Sequence, residues 1–187
     1  FFYIDRSVVR EKFPELLGDY SLSYAIMQMT IVAITAFSYV NIVEFGKEQA
    51  DLSRLKSKIF KAFRYCFLFY AVFGVCSVSF AYGAELFYGY GAVFETTLLM
   101  VGLFGVANVM GSLNAAHLYL GSIKVMAIIM LLVFITSLAL NMIIPYGSEQ
   151  GYYILLAKTY GLYFIFSVLS FSYICYRLKG VNSFIDN

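Results

Sequence analysis

Charge is what this sequence has least of. Only 13% of its 187 residues are Asp, Glu, Lys or Arg, about half the share carried by soluble domains. So few ionic groups cannot coat a surface facing water. With 61% hydrophobic residues and a mean hydropathy of +0.80, the solvent that suits the chain is a bilayer. Trp is absent, so any aromatic belts at the two membrane–water interfaces fall to the 17 tyrosines. Cys66, Cys76 and Cys175 form no CxxC pair and sit in apolar runs, which suits small lipid- or core-facing residues and fixes no redox compartment. The lone His117 has no Cys or His near it in sequence, so no metal site is indicated. A phosphate-cradling GxxxxGK[ST] loop is missing, which excludes nucleotide hydrolysis by this segment. No catalytic constellation, cofactor motif or nucleic-acid-binding pattern is present, so the chain is not expected to be an enzyme. A signal-peptide pattern is missing as well. Phe1 to Ile4 is an apolar stub running into Asp5 and Arg6, and reads as the tail of an earlier helix in a longer polypeptide.

Five apolar stretches are long enough, or nearly so, to cross about 30 Å of hydrocarbon as helices. They predict an all-α, polytopic membrane bundle with spans at about 20–43, 65–82, 96–120, 124–145 and 152–176. The third run exceeds what a bilayer needs and is expected to tilt or project. The linkers set the orientation. Lys47, Arg54, Lys56, Lys58, Lys61 and Arg64 crowd the first; 83–95 has no Lys or Arg; Lys124 lies in the third; 146–151 has none; Arg177 and Lys179 follow the last span. This alternation fits the positive-inside rule with a cytoplasmic C-terminus. Arg6, Arg10 and Lys12 then fall outside, against the rule. Within the linker 47–63, Leu52, Leu55, Ile59, Phe60 and Phe63 recur at helical spacing between cations. They predict an amphipathic helix lying on the inner leaflet, its cations meeting anionic headgroups.

Polar groups inside the spans are the candidate site residues, because each wants a partner where water is scarce. Lys158 lies about two turns inside the last span. It reads either as a cationic point for an anionic substrate or as a snorkelling lysine whose stem carries the charge to the outer headgroups. Gln28, Asn41, Asn108, Asn114 and Asn141 are neutral. Helix–helix hydrogen bonding is the default for all five, with Gln28, near mid-span beside Tyr24, and then Asn108 the candidates for cavity lining. Ala107, Gly111 and Ala115 form a small-residue stripe suited to close helix packing. Gly89-Tyr90-Gly91 reads as a turn, and His117 as a packing or interfacial residue in preference to a proton relay.

Three stretches together resemble one family. Gly18-Asp19-Tyr20-Ser21-Leu22-Ser23-Tyr24-Ala25 resembles the Gly-x-Tyr-small opening of a second-lobe helix in bacterial O-antigen and polysaccharide flippases, within the MATE-like superfamily. The basic amphipathic linker, an aromatic span and Leu86-Phe87-Tyr88-Gly89-Tyr90-Gly91 look like that family's outer loop. Leu140-Asn141-Met142-Ile143-Ile144-Pro145-Tyr146-Gly147, then Gly151, is similar to its stretch between the last two helices, with Tyr152-Tyr153 where the pattern has Ala-Ala. The resemblance covers nearly the whole chain and implies most of the second lobe of a two-lobe transporter. It also implies a lipid-linked oligosaccharide as cargo, membrane lipids and an N-terminal lobe of the same polypeptide as partners, and the bacterial inner membrane as location. On that reading Lys158 would face the diphosphate, Gln28 would hydrogen-bond in the cavity, and this piece alone would be inactive. A cation-coupled multidrug exporter of the same superfamily is the rival, but it calls for a carboxylate in mid-span, and Glu44, Glu85 and Glu95 lie at span edges. A membrane scaffold that transports nothing is the third alternative.

Overall fold

The structure is a computed structural model that describes residues 2–48, 50–120, 122–144 and 148–180. Every regular element among them is helical. A short α1 (Phe2–Lys12) turns through Pro14–Leu16 into α2 (Leu17–Lys47), and α3 (Leu52–Tyr88) returns beside it. The third span is composite: α4 (Val93–Met100), a π turn (Val101–Gly105), α5 (Val106–Gly111), tight turns, and α6 (Ala116–Tyr119). Then come α7 (Ile123–Asn141) and α8 (Glu149–Gly180). Five helices are long and apolar enough to cross a membrane: Pro14–Lys47, Leu52–Tyr88, Val93–Tyr119, Ile123–Asn141 and Glu149–Lys179.

Each expected span overlaps one of these five helices, and the first linker is placed differently from expectation. The amphipathic helix expected at 47–63 does not lie apart on a leaflet. From Leu52 onward it is the opening of α3, a single rod of 37 residues, about 55 Å long at 1.5 Å per residue. That is nearly twice the thickness of hydrocarbon, so its first turns stand beyond any bilayer the rest crosses. Its apolar stripe is spent inside the protein: Leu55 and Ile59 are fully buried in a cluster with Phe45, Leu113, Ile174 and Leu178. The Asp51 carboxylate starts the rod by accepting from the Ser53 and Arg54 amides. Gly89 ends it at φ 72°, a left-handed conformation that a side chain would strain, and the Gly89–Gly91 turn follows as expected. Of the stretch between the last two spans, Pro145, Tyr146 and Gly147 lie outside the described residues, as does Phe1.

The third span is the axis of the bundle. Half of its apolar window is buried (50%), against 11% for α7, which rests on α8 at the edge. A second cluster at the opposite end joins Val9 and Phe13 to Tyr20, Met27, Met100, Phe104, Tyr152 and Tyr160. Around this core, large side chains on every long helix point outward, among them Met29, Tyr39, Leu68, Phe80, Phe87, Leu131 and Ile135. A surface this apolar is stable against lipid or another protein and not against water.

Candidate functional site

The helices are tied together by polar side chains that water would otherwise satisfy. The Ser23 hydroxyl donates to the Val93 carbonyl at 3.1 Å. Thr30 and Ser77 share a hydrogen bond of 2.9 Å. The Asn41 amide donates to the Ser112 carbonyl at 3.3 Å, and the Tyr119 hydroxyl to the Ile42 carbonyl at 2.7 Å. A membrane-embedded polar group finds its partner on a neighbouring helix because lipid offers none, and Asn41 behaves in that way.

His117 anchors the same seam at its basic end. Fully buried, it touches Ser122 Oγ through Nδ1 at 2.6 Å and Ser170 Oγ through Nε2 at 2.8 Å. Ser170 spends its one proton on Asn114 Oδ1 at 2.7 Å. It must therefore accept from Nε2–H, which leaves Nδ1 to accept from Ser122. Both ring nitrogens in the chain Ser122–His117–Ser170–Asn114 are thus bonded with a neutral imidazole, and the chain ties the start of α7, the third span and α8 together. Arg177 closes this end by donating to the Leu120 carbonyl at 2.9 Å. His117 has the packing role expected of it.

The interruption of the third span is the feature that sequence reasoning missed. A π turn widens the helix and leaves carbonyls without their usual i+4 donors. Two side chains answer: the Tyr70 hydroxyl donates to the Val101 carbonyl at 2.7 Å, and the Asn108 amide donates to the Phe104 carbonyl at 2.7 Å. The ring of Tyr70 lies so close to Gly105 that a Cβ there would overlap it. The two glycines in Val101-Gly102-Leu103-Phe104-Gly105 were the available signal. Past Gly111 the helix tightens instead, with Leu113, Asn114 and Ala116 bonding three residues back.

The three expected site residues fall in different places. Lys158, nine-tenths buried, donates to Asn141 Oδ1 at 2.7 Å. A helical side chain leans toward its own N-terminus, and Asn141 closes α7, so the ammonium is directed along α8 toward the end where α7 stops and α8 starts. Asn108 holds the π turn. Gln28 is half-buried and makes no hydrogen bond among the described residues. Neither Gln28 nor Asn108 bonds to Lys158. Met27 beside Gln28 belongs to the Tyr152–Tyr160 cluster, and Tyr24 and Ile31, one turn to either side, pack against it. Among the described residues, buried Thr97, Thr159 and Ser167 likewise have no partner for their hydroxyls, so the seam of the third span with α8 is incompletely bonded in this arrangement.

No family model, characterised protein or solved structure matches the chain.

Carboxylates at the ends of the spans have structural work. Asp19 Oδ2 accepts from the Ala92 amide at 2.9 Å and Glu85 Oε1 from the Phe94 amide at 2.8 Å. Two other helices thus cap the start of α4, where free N–H groups favour negative charge. At the basic end Glu44 takes both Lys47 (2.7 Å) and Lys58 (2.8 Å). Among the described residues no three His, Cys, Asp or Glu side chains converge as a metal site.

Proposed function

We propose that this chain is most of the second lobe of a flippase that carries a polyprenyl-pyrophosphate-linked oligosaccharide across the bacterial inner membrane by alternating access, its C-terminus in the cytoplasm. The observation that carries the transport reading is the interrupted third span. Its widened turn is held by Tyr70 of a neighbouring helix and by Asn108, and among the described residues the buried hydroxyls of Thr97 on α4 and of Thr159 and Ser167 on α8 have no partner. Interrupted helices with locally bonded backbone are how transporters build polar sites and moving joints in lipid. The cargo class rests on the resemblance of residues 18–25, 86–91 and 140–151. In this reading Gln28 has its amide free for a glycan hydroxyl. Lys158 supplies positive charge for the diphosphate near the end where α8 starts, with Asn141 holding the ammonium until cargo arrives. The other lobe supplies the facing wall.

The test is complementation of a strain lacking glycan export, using the full polypeptide that contains this chain. Gln28→Leu and Lys158→Met, checked for normal membrane levels, are each expected to cut export at least tenfold, and Lys158→Glu to abolish it. Unchanged export by all three overturns the cavity assignment. Loss of cationic-dye resistance with intact glycan export favours the drug exporter, a reading weakened by the structural use of Asp19, Glu44 and Glu85.

A further inference from the structure

A cationic, partly apolar groove lies on α3 at the basic end, away from Lys158, Gln28 and Asn108. Its volume is about 610 Å³, and Phe60, Lys61, Arg64, Tyr65 and Leu68 line it. At 100° per residue these five occupy one face of the helix. The cationic charge on this face is uncommitted. Lys58 is taken by Glu44 and Arg54 by Asp51, whereas Lys61 and Arg64 form no ion pair among the described residues. Lys61 instead lies over the Tyr65 ring, 5.9 Å from its centroid, an arrangement that steadies the ammonium at the groove without neutralising it. Below the two cations the groove continues over exposed Leu68 into the uncharged part of α3.

We infer that this groove binds one anionic phospholipid, with its phosphate on Lys61 and Arg64 and the top of an acyl chain along Tyr65 and Leu68. The chemistry requires an amphiphile. Arg64 offers a fork of donors and Lys61 a point charge, one helical turn apart, which suits a phosphate diester. A free anion would fill only the cationic part and leave the aromatic and aliphatic wall bare. An uncharged lipid would leave both cations unanswered at the depth where a helix leaves hydrocarbon. The site depends on α3 crossing the membrane and on nothing about the cargo.

The test is native mass spectrometry of the purified chain in detergent, titrated separately with phosphatidylglycerol and phosphatidylcholine. The wild-type chain is expected to retain one phosphatidylglycerol through activation that strips phosphatidylcholine. Lys61→Gln/Arg64→Gln is expected to lose on the order of tenfold or more in phosphatidylglycerol affinity. Lys124→Gln/Lys179→Gln, which removes the same charge from exposed positions at the same end, should lose less than twofold. All these side chains are exposed, and unchanged thermal unfolding will show that the variants fold; Arg64→Gln alone gives a milder second variant. Equal retention of the two lipids, equal loss in both double variants, or displacement of phosphatidylglycerol by millimolar inorganic phosphate overturns the inference.

Discussion

A methyl group added at Gly105 would overlap the ring of Tyr70, and that ring is held because its hydroxyl donates to the Val101 carbonyl at the start of the π turn. Gly105→Ala is therefore expected to destabilise the detergent-solubilised chain by about 1–3 kcal/mol, the usual range for forcing atoms into a packed site. Tyr70→Leu removes both the ring edge and the donor, and a carbonyl left without its bond costs about 1–3 kcal/mol. Once the ring is gone the added methyl has room. The double variant should then be about as stable as Tyr70→Leu alone, a coupling read from thermal unfolding of the four proteins. Additive losses would mean that the two residues do not meet. Neither partner was evident from sequence: Gly105 sits in an apolar run of unbroken period, and Tyr70 is 35 positions away. Lys158 and Asn141 each stand out in the sequence as polar groups in apolar runs, yet their pairing depends on how α7 and α8 are joined, which periodicity does not encode.

Among the elements, α4 is the one whose start is built by its neighbours. A helix leaves its first N–H groups without partners, and here Asp19 of α2 and Glu85 of α3 supply acceptors for the Ala92 and Phe94 amides. Removing such a cap costs about 0.5–2 kcal/mol. Asp19→Ala and Glu85→Ala should each lower the unfolding midpoint, and Glu95→Ala, an exposed first-turn residue that bonds to no backbone amide among the described residues, should do less. If all three fall equally, general charge at this end and not capping is responsible. The element boundaries were legible because uncharged runs and basic linkers are statements about solvent. The 47–63 segment was legible as an amphipathic helix but not in its placement. Leu55 and Ile59 give the same stripe whether it meets lipid or the Phe45–Leu113 cluster, and only the unbroken helix through Tyr65 distinguishes the two.

At the scale of the molecule, the chain is a bundle whose centre is bonded and whose outside is greasy. Polar ties at Ser23, Thr30, Asn41 and His117 lie within it, while Met29, Phe80, Phe87 and Leu131 face outward. That arrangement suits five long helices crossing a bilayer, where lipid meets the apolar outside and the polar groups bond to one another within. Labelling the connecting segments in intact and opened vesicles tests this directly. With Cys66, Cys76 and Cys175 replaced by alanine, single cysteines are placed at Lys56, Tyr90, Lys124, Ser148 and Lys179 and treated with a membrane-impermeant maleimide. Lys56, Lys124 and Lys179 should react from one side of the membrane, and Tyr90 and Ser148 from the other. Reaction of Lys56 and Tyr90 from the same side would contradict the crossing of α3 and, with it, the five-span bundle.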